Sequence, residues 1–158
     1  MACNQASDDK AVIAAAKAGY DAFKVGDMEK WAATQAEDVE WEVPKGLPYA
    51  GAYFGARSVI DNVFTPISQL WPDFKVEPVE FFTSGERVFI KTKMTTGGMT
   101  SDSLHMAVIR DGKYAKFQVF DDSGFMMQSA RNSGDKALAN PDHASTEWQI
   151  AAYSSAAP

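Results

Sequence analysis

Between Lys75 and Ser123 the chain reads four times in succession with a period of two, and no other feature limits its folds as tightly. The runs are Lys75 to Thr83, Arg87 to Thr95, Ser101 to Arg110 and Lys113 to Ser123. Ser84-Gly85-Glu86, Gly97-Gly98 and Asp111-Gly112 divide them. Alternation bounded by such breakers predicts strands, and breaks this short make the set an antiparallel meander.

The chain ahead of the meander has a helical period. Val12, Ala16, Tyr20 and Phe23 recur at helical spacing from about Asp8 to Val25, with Gly26 placed to end the helix. Asp27 can cap a second helix carrying Met28, Trp31 and Ala32 and running to about Glu37. Val39-Glu40-Trp41-Glu42-Val43 alternates as a strand, and Lys45 to Gly55 reads as a loop that displays Tyr49, Tyr53 and Phe54. A third helix follows from about Arg57, with Val59, Ile60, Val63 and Phe64 on its apolar face, until Thr65-Pro66 interrupts it. Met1 to Ser7 reads as a loose start. Residues 131–158 read as a polar tail, disordered or docked through Trp148, Ile150 and Tyr153.

Helices and strands segregated in this way argue an α+β fold, a curved, mostly antiparallel sheet wrapped around three N-terminal helices. With the break Val25-Gly26-Asp27-Met28, the strand Ala36 to Trp41, the loop Leu47 to Gly55 and the ending Asp111-Gly112-Lys113 to Phe120-Asp121, the chain resembles the nuclear-transport-factor-two-like (NTF2-like) superfamily. The likeness is to its SnoaL-like and ketosteroid-isomerase-like branches and spans residues 8–130. It implies a cystatin-type α+β barrel, cone-shaped, with a cavity between sheet and helices. Because this superfamily hosts isomerases, cyclases, dehydratases and proteins without chemistry, the fold does not choose the function.

Charge and composition remove other classes. Fifteen Lys and Arg against 21 Asp and Glu give a net charge of −6, which repels nucleic acid and anionic membrane surfaces. No stretch approaches the roughly 18 consecutive apolar residues of a membrane span. Cys3, the single cysteine, cannot form an internal disulfide, which fits a reducing compartment. The expectation is a soluble cytoplasmic protein of one domain. Gly97-Gly98 leads into a strand rather than a helix, no G-x-S-x-G elbow occurs, and alternation sends Asp102 to the face opposite His105. No cofactor and no metal site is expected.

A three-residue loop at Asp111-Gly112 would pair Ile109 with Lys113 and His105 with Phe117. One face of the hairpin then shows Ser103, His105, Ala107 and Ile109 with Ala115, Phe117, Val119 and Asp121. The other shows Leu104, Met106 and Val108 with Lys116, Gln118 and Phe120, apolar enough to suggest a homodimer through the outer face of the sheet. The first face matches the inward positions of the resembled family, which implies that His105 takes the place of the isomerase's oxyanion-hole acid. Asp121 takes the place of a SnoaL-like acid/base carboxylate. In this register the two stand about 13 Å apart along the strand, which argues against direct contact. Either could instead be structural: His105 as a core histidine bonded to Tyr20 or backbone, Asp121 as a loop cap.

The resemblance also carries departures. The isomerase's base aspartate aligns with Val43 and its oxyanion tyrosine with Gly19, so steroid isomerisation by that route is disfavoured. No arginine faces inward beside His105, which disfavours an epoxide hydrolase. Trp41, Tyr20, Tyr49, Tyr53, Asn62, Phe117, Val119 and Ser103 are the candidates to line or gate a pocket. For Trp41 the core and for Asn62 the solvent are the competing places. The expectation is a small apolar molecule as ligand, carbonyl-bearing, with Asp121 as acid/base and His105 as its partner or oxyanion stabiliser. The rival is a non-catalytic ligand-binding or structural dimerisation module.

Overall fold

The computed structural model describes residues 3–138, with side chains over residues 8–130. Helix α1 covers Cys3–Lys24. It starts five residues before Asp8, so the expected loose segment holds the first helical turn instead. Gly26, at φ 71°, turns the chain left-handed, and the Asp27 carboxylate then accepts from the Lys30 amide at 2.9 Å to cap α2, Met28–Ala33. Helix α2 ends short of Glu37 because β1 already begins at Gln35 and runs to Val43.

The Lys45 to Gly55 loop is not wholly a loop. Gly51–Phe54 forms β2, antiparallel to β1 with Trp41 opposite Tyr53. The next helix is made of three joined pieces: α3 at Ala56–Val59, a π-helical turn at Ile60–Phe64, and α4 at Thr65–Leu70. Pro66 has no amide proton to give, and the wide turn lies just ahead of it, with the Thr65 amide donating to the Ile60 carbonyl. Strands β3 (Lys75–Ser84), β4 (Arg87–Thr96), β5 (Met99–Arg110) and β6 (Lys113–Phe120) form the expected meander. The sheet order is β2-β1-β6-β5-β4-β3, with β1 and β6 parallel and every other pair antiparallel. The sheet is curved and unclosed, β2 and β3 being its edges, and its concave face holds α1.

Helix α5, Ser123–Leu138, lies where the sequence reads as the end of a strand and the start of a polar tail. Asp122 accepts from the Phe125 amide at 2.9 Å, and the buried Trp71 indole donates to the Met126 carbonyl and to Ser129 Oγ, both at 3.0 Å. Anchors 55 and more residues away in the chain leave no local period to read. Trp148, Ile150 and Tyr153 lie outside the described residues. Among the described residues no helix is long and apolar enough to cross a membrane.

The β5–β6 turn decides the geometry of the interior. Asp111 at φ 50° and Gly112 at φ 72° form a two-residue loop, so Arg110 pairs with Lys113 and Ile109 with Tyr114. The register then slips by one between Val108 and Ile109, with Ala115 as the extra residue of a bulge on β6. His105 therefore faces Val119, not Phe117 as expected. Because the correction is two residues, Phe117, Val119 and Asp121 stay on the inner face, while Tyr114 replaces Ala115 there.

The inward Tyr114 explains a glycine inside α1. Its hydroxyl donates to the Ala16 carbonyl, and its ring lies so close that a Cβ on Gly19 would stand 2.8 Å from Tyr114 Cε2. Gly19→Ala should lower stability, since overpacking costs about 1–3 kcal/mol and outweighs the roughly 1 kcal/mol that alanine gains in a helix. A urea midpoint that rises in this variant would refute the contact.

Candidate active site

The curvature of the sheet leaves a hollow of about 70 Å³ between it and the helices. That is roughly half the volume of an engineered core cavity that takes up benzene, room for the head of a small molecule rather than a steroid nucleus. Its wall is formed by Tyr20 and Phe23 from α1, Trp31 from α2, Trp41 and Val43 from β1, Phe117 and Val119 from β6, and Tyr49 from the loop ahead of β2. Aromatic rings pack edge to face around it: Trp41 meets Trp31 at 5.5 Å and Phe64 at 5.4 Å between centroids, and stacks on Phe117 at 4.2 Å. Trp41 is thus both core and wall.

In this apolar surround three polar side chains form a chain of hydrogen bonds. Tyr20 Oη lies 2.6 Å from His105 Nδ1, and His105 Nε2 lies 3.0 Å from Asp121 Oδ1. The side chains of His105 and Asp121 are only 7% and 9% exposed. Ser103 Oγ, 3.3 Å from Nε2 and 2.6 Å from Thr92 Oγ1, backs the imidazole from inside the sheet. Contact between His105 and Asp121 overturns the expected separation of about 13 Å. With Val119 opposite His105, Asp121 is its diagonal neighbour, and diagonal neighbours are within reach of long side chains.

The network fixes the protons. Burial, with smaller contributions from Tyr114 and the Asp121 charge, pushes the Tyr20 phenol well above its ordinary range. Tyr20 therefore keeps its proton and donates it to Nδ1. Nε2–H then donates to Asp121 Oδ1, a tautomer assigned from the bonding pattern. Both ring nitrogens are occupied, so His105 orients Asp121 and is not free to hold a ligand oxyanion. What remains to act is the Asp121 carboxylate.

Of the remaining sequence candidates, Tyr49, Trp41, Tyr20, Phe117 and Val119 are on the wall, whereas Tyr53, Asn62 and Ser103 are not. Tyr53 Oη donates to the Tyr49 carbonyl at 2.9 Å and so braces the loop. Asn62 Nδ2 donates to the Ser58 carbonyl on an exposed helix surface. Ser103 is buried behind the imidazole. The wall also takes Phe74, Val76 and Tyr114; only the bulge at Ala115 turns Tyr114 inward, and no local signal announces it. Val43 and Gly19, where the isomerase pattern has its acid and its tyrosine, do line the hollow, but with no polar atom to offer. Among the described residues no group of three or more His, Cys, Asp or Glu could hold a metal ion.

The SnoaL-like domain model matches residues 16–117, ending four residues ahead of Asp121. No curated protein matches the chain. Among solved structures, an NTF2-like protein of unknown function from Burkholderia pseudomallei K96243 is 24% identical with a TM-score of 0.68, over 76% of this chain and 97% of that one. TerC, co-crystallised with polyporic acid, is 24% identical with a TM-score of 0.69, over 77% of this chain and 98% of its own. A cystatin-fold protein from Novosphingobium aromaticivorans is 13% identical with a TM-score of 0.58, over 70% of this chain and 97% of that one. At these identities the likeness is one of fold.

Proposed function

This chain belongs to the SnoaL-like domain family, and on that premise we propose that it is an acid–base enzyme of the isomerase, cyclase or dehydratase kind, acting on a small, uncharged carbonyl compound. One observation carries the reading: a carboxylate, Asp121, 9% exposed and held at 3.0 Å by an imidazole, stands at an aromatic hollow whose wall has no Lys or Arg. A carboxylate aimed into an apolar hollow can take a proton from a substrate held beside it.

In the proposed step Asp121 takes a proton from the carbon beside the carbonyl. The C–H pair becomes the new C=C bond, and the carbonyl π pair moves to oxygen, giving an enol or enolate. Returning the proton to another carbon completes an isomerisation; loss of a leaving group or attack on a second carbonyl gives the other two outcomes. His105 keeps Asp121 aimed, and Tyr20 keeps His105 in the donating tautomer. A cation on the wall would hold an anionic substrate; none is there, and Asp121 would repel one. The organic ligand in the TerC crystals is in keeping with a hollow of this fold that accepts one.

The experiment is solvent-deuterium incorporation into small enolisable ketones, followed by NMR. Incorporation above the buffer rate supports the enzyme. Binding without incorporation would favour the non-catalytic ligand-binding module, for which the internally bonded Tyr20, His105 and Asp121 are the specific observation.

The proposal includes a homodimer through the outer sheet face. Leu104 and Phe120 are cross-strand partners there and are 40% and 49% exposed, with Phe82 54% exposed on the same sheet. Large exposed apolar side chains on a sheet face mark an interface. Sedimentation at micromolar concentration should return a dimer, and Leu104→Glu with Phe120→Lys should return a folded monomer. A monomeric parent protein would remove this part of the proposal.

A further inference from the structure

Among the buried side-chain atoms of the described residues, one oxygen has no hydrogen-bond partner, the hydroxyl of Tyr49, a residue that lines the hollow. Tyr49 is only 5% exposed. Its loop is held from outside, by Tyr53 Oη on its carbonyl and by Trp71 edge-on to its ring at 6.0 Å. The other two phenols on the wall are bonded inside the chain, Tyr20 to His105 and Tyr114 to the Ala16 carbonyl.

A buried hydroxyl left unpaired destabilises a fold, and phenylalanine would fill the same space without that cost. The oxygen makes sense where something other than the chain meets it. Burial and the charge of Asp121 push the Tyr49 phenol far above its ordinary range, so it meets a ligand as a donor.

We infer that the Tyr49 hydroxyl is the recognition donor of the site, binding the carbonyl oxygen of a neutral ketone or aldehyde whose adjoining C–H faces Asp121. This rests on the reading that the hollow takes a ligand, and adds the ligand's required atom: an uncharged acceptor oxygen, with carboxylates refused. As negative charge grows on that oxygen when the proton leaves, the Tyr49 bond strengthens, which is the differential binding that lowers a barrier.

The test compares cyclopentanone, cyclopentane and cyclopentanecarboxylate as probes of the wild type, Tyr49→Phe and Asp121→Asn. Binding is read by NMR titration, with the ¹³C carbonyl shift as a direct report of the donor. The wild type should bind the ketone in preference to the hydrocarbon and refuse the carboxylate. Tyr49→Phe should lose about tenfold in ketone affinity, the size of one hydrogen bond to an uncharged group, and should lose the carbonyl shift. Its cyclopentane affinity should not change, and its thermal midpoint should stay level or rise.

Unchanged ketone affinity in Tyr49→Phe overturns the inference. So does a lowered thermal midpoint, which would mean that the hydroxyl has a structural partner. A wild type that takes up neither ring overturns the inference and the ligand reading together. The two claims separate otherwise: Tyr49-dependent ketone binding with no deuterium incorporation in any variant sinks the acid–base chemistry alone. Deuterium incorporation that needs Asp121 and ignores Tyr49 sinks the recognition donor alone.

Discussion

Asp121→Asn should cut deuterium incorporation into an enolisable ketone by about 10²–10⁴-fold, the usual contribution of a positioned acid or base, and should leave the protein folded. The fold survives because the amide keeps the shape of the carboxylate, and its oxygen can still accept from His105 Nε2, 3.0 Å away in the native site. Activity does not survive, since an amide at neutral pH has no basic pair to take a proton from carbon. Incorporation rates by NMR, set beside circular dichroism and the urea midpoint, check both halves. Full incorporation in a folded Asp121→Asn would transfer the chemistry to another residue.

The largest loss of stability should come from His105→Leu. The imidazole stands between two buried groups, and leucine leaves Asp121 Oδ1 and Tyr20 Oη without their partners. A buried group left without its hydrogen-bond partner costs about 1–3 kcal/mol, more where the group is a carboxylate, and here two are left at once. Tyr20→Phe should cost roughly 1 kcal/mol, the price of one hydrogen bond to a neutral ring. Removing the carboxylate as well, in His105→Leu with Asp121→Leu, should restore part of the loss, since two apolar groups need no partners. Urea unfolding of the three variants measures this. A His105→Leu effect within about 0.5 kcal/mol, the range of an ordinary surface change, would contradict the buried network.

The meander and the inward side of His105, Phe117, Val119 and Asp121 were legible in the sequence because a period of two survives any even slip of register, whereas Ala115, expected inward, gives its place to Tyr114. Phe117, Val119 and Asp121 are inward because the two-residue turn at Asp111-Gly112 shifts the register by one and the bulge at Ala115 by one more, an even total. The distance between His105 and Asp121 was not legible, because it depends on the bulge at Ala115, which has no signature in an Ala-Lys-Phe stretch. Strand β2 was hidden by its glycine and its short length of four residues. Helix α5 was hidden because Trp71, far back in the chain, holds it in place. For His105 the sequence offers Tyr20 or backbone as a polar partner, and the bond is to Tyr20. Ser103 faces inward as its hairpin register predicts, but it is bonded behind the imidazole, and the hydrogen bonds of Tyr53 and Asn62 take those two off the wall as well.

On the proposed reading Asp121 waits as a base because His105 donates to it. ¹⁵N-edited NMR of the His105 ring tests this without a substrate. The protonation chain derived above requires Nε2 to carry the proton and Nδ1 to be bare, with the Nε2 proton shifted by a bond that Asp121→Asn weakens and Tyr20→Phe alters from the other side. The opposite tautomer, with the proton on Nδ1 and Nε2 bare, would make Asp121 the donor, a carboxylic acid in the resting protein, and would contradict the account.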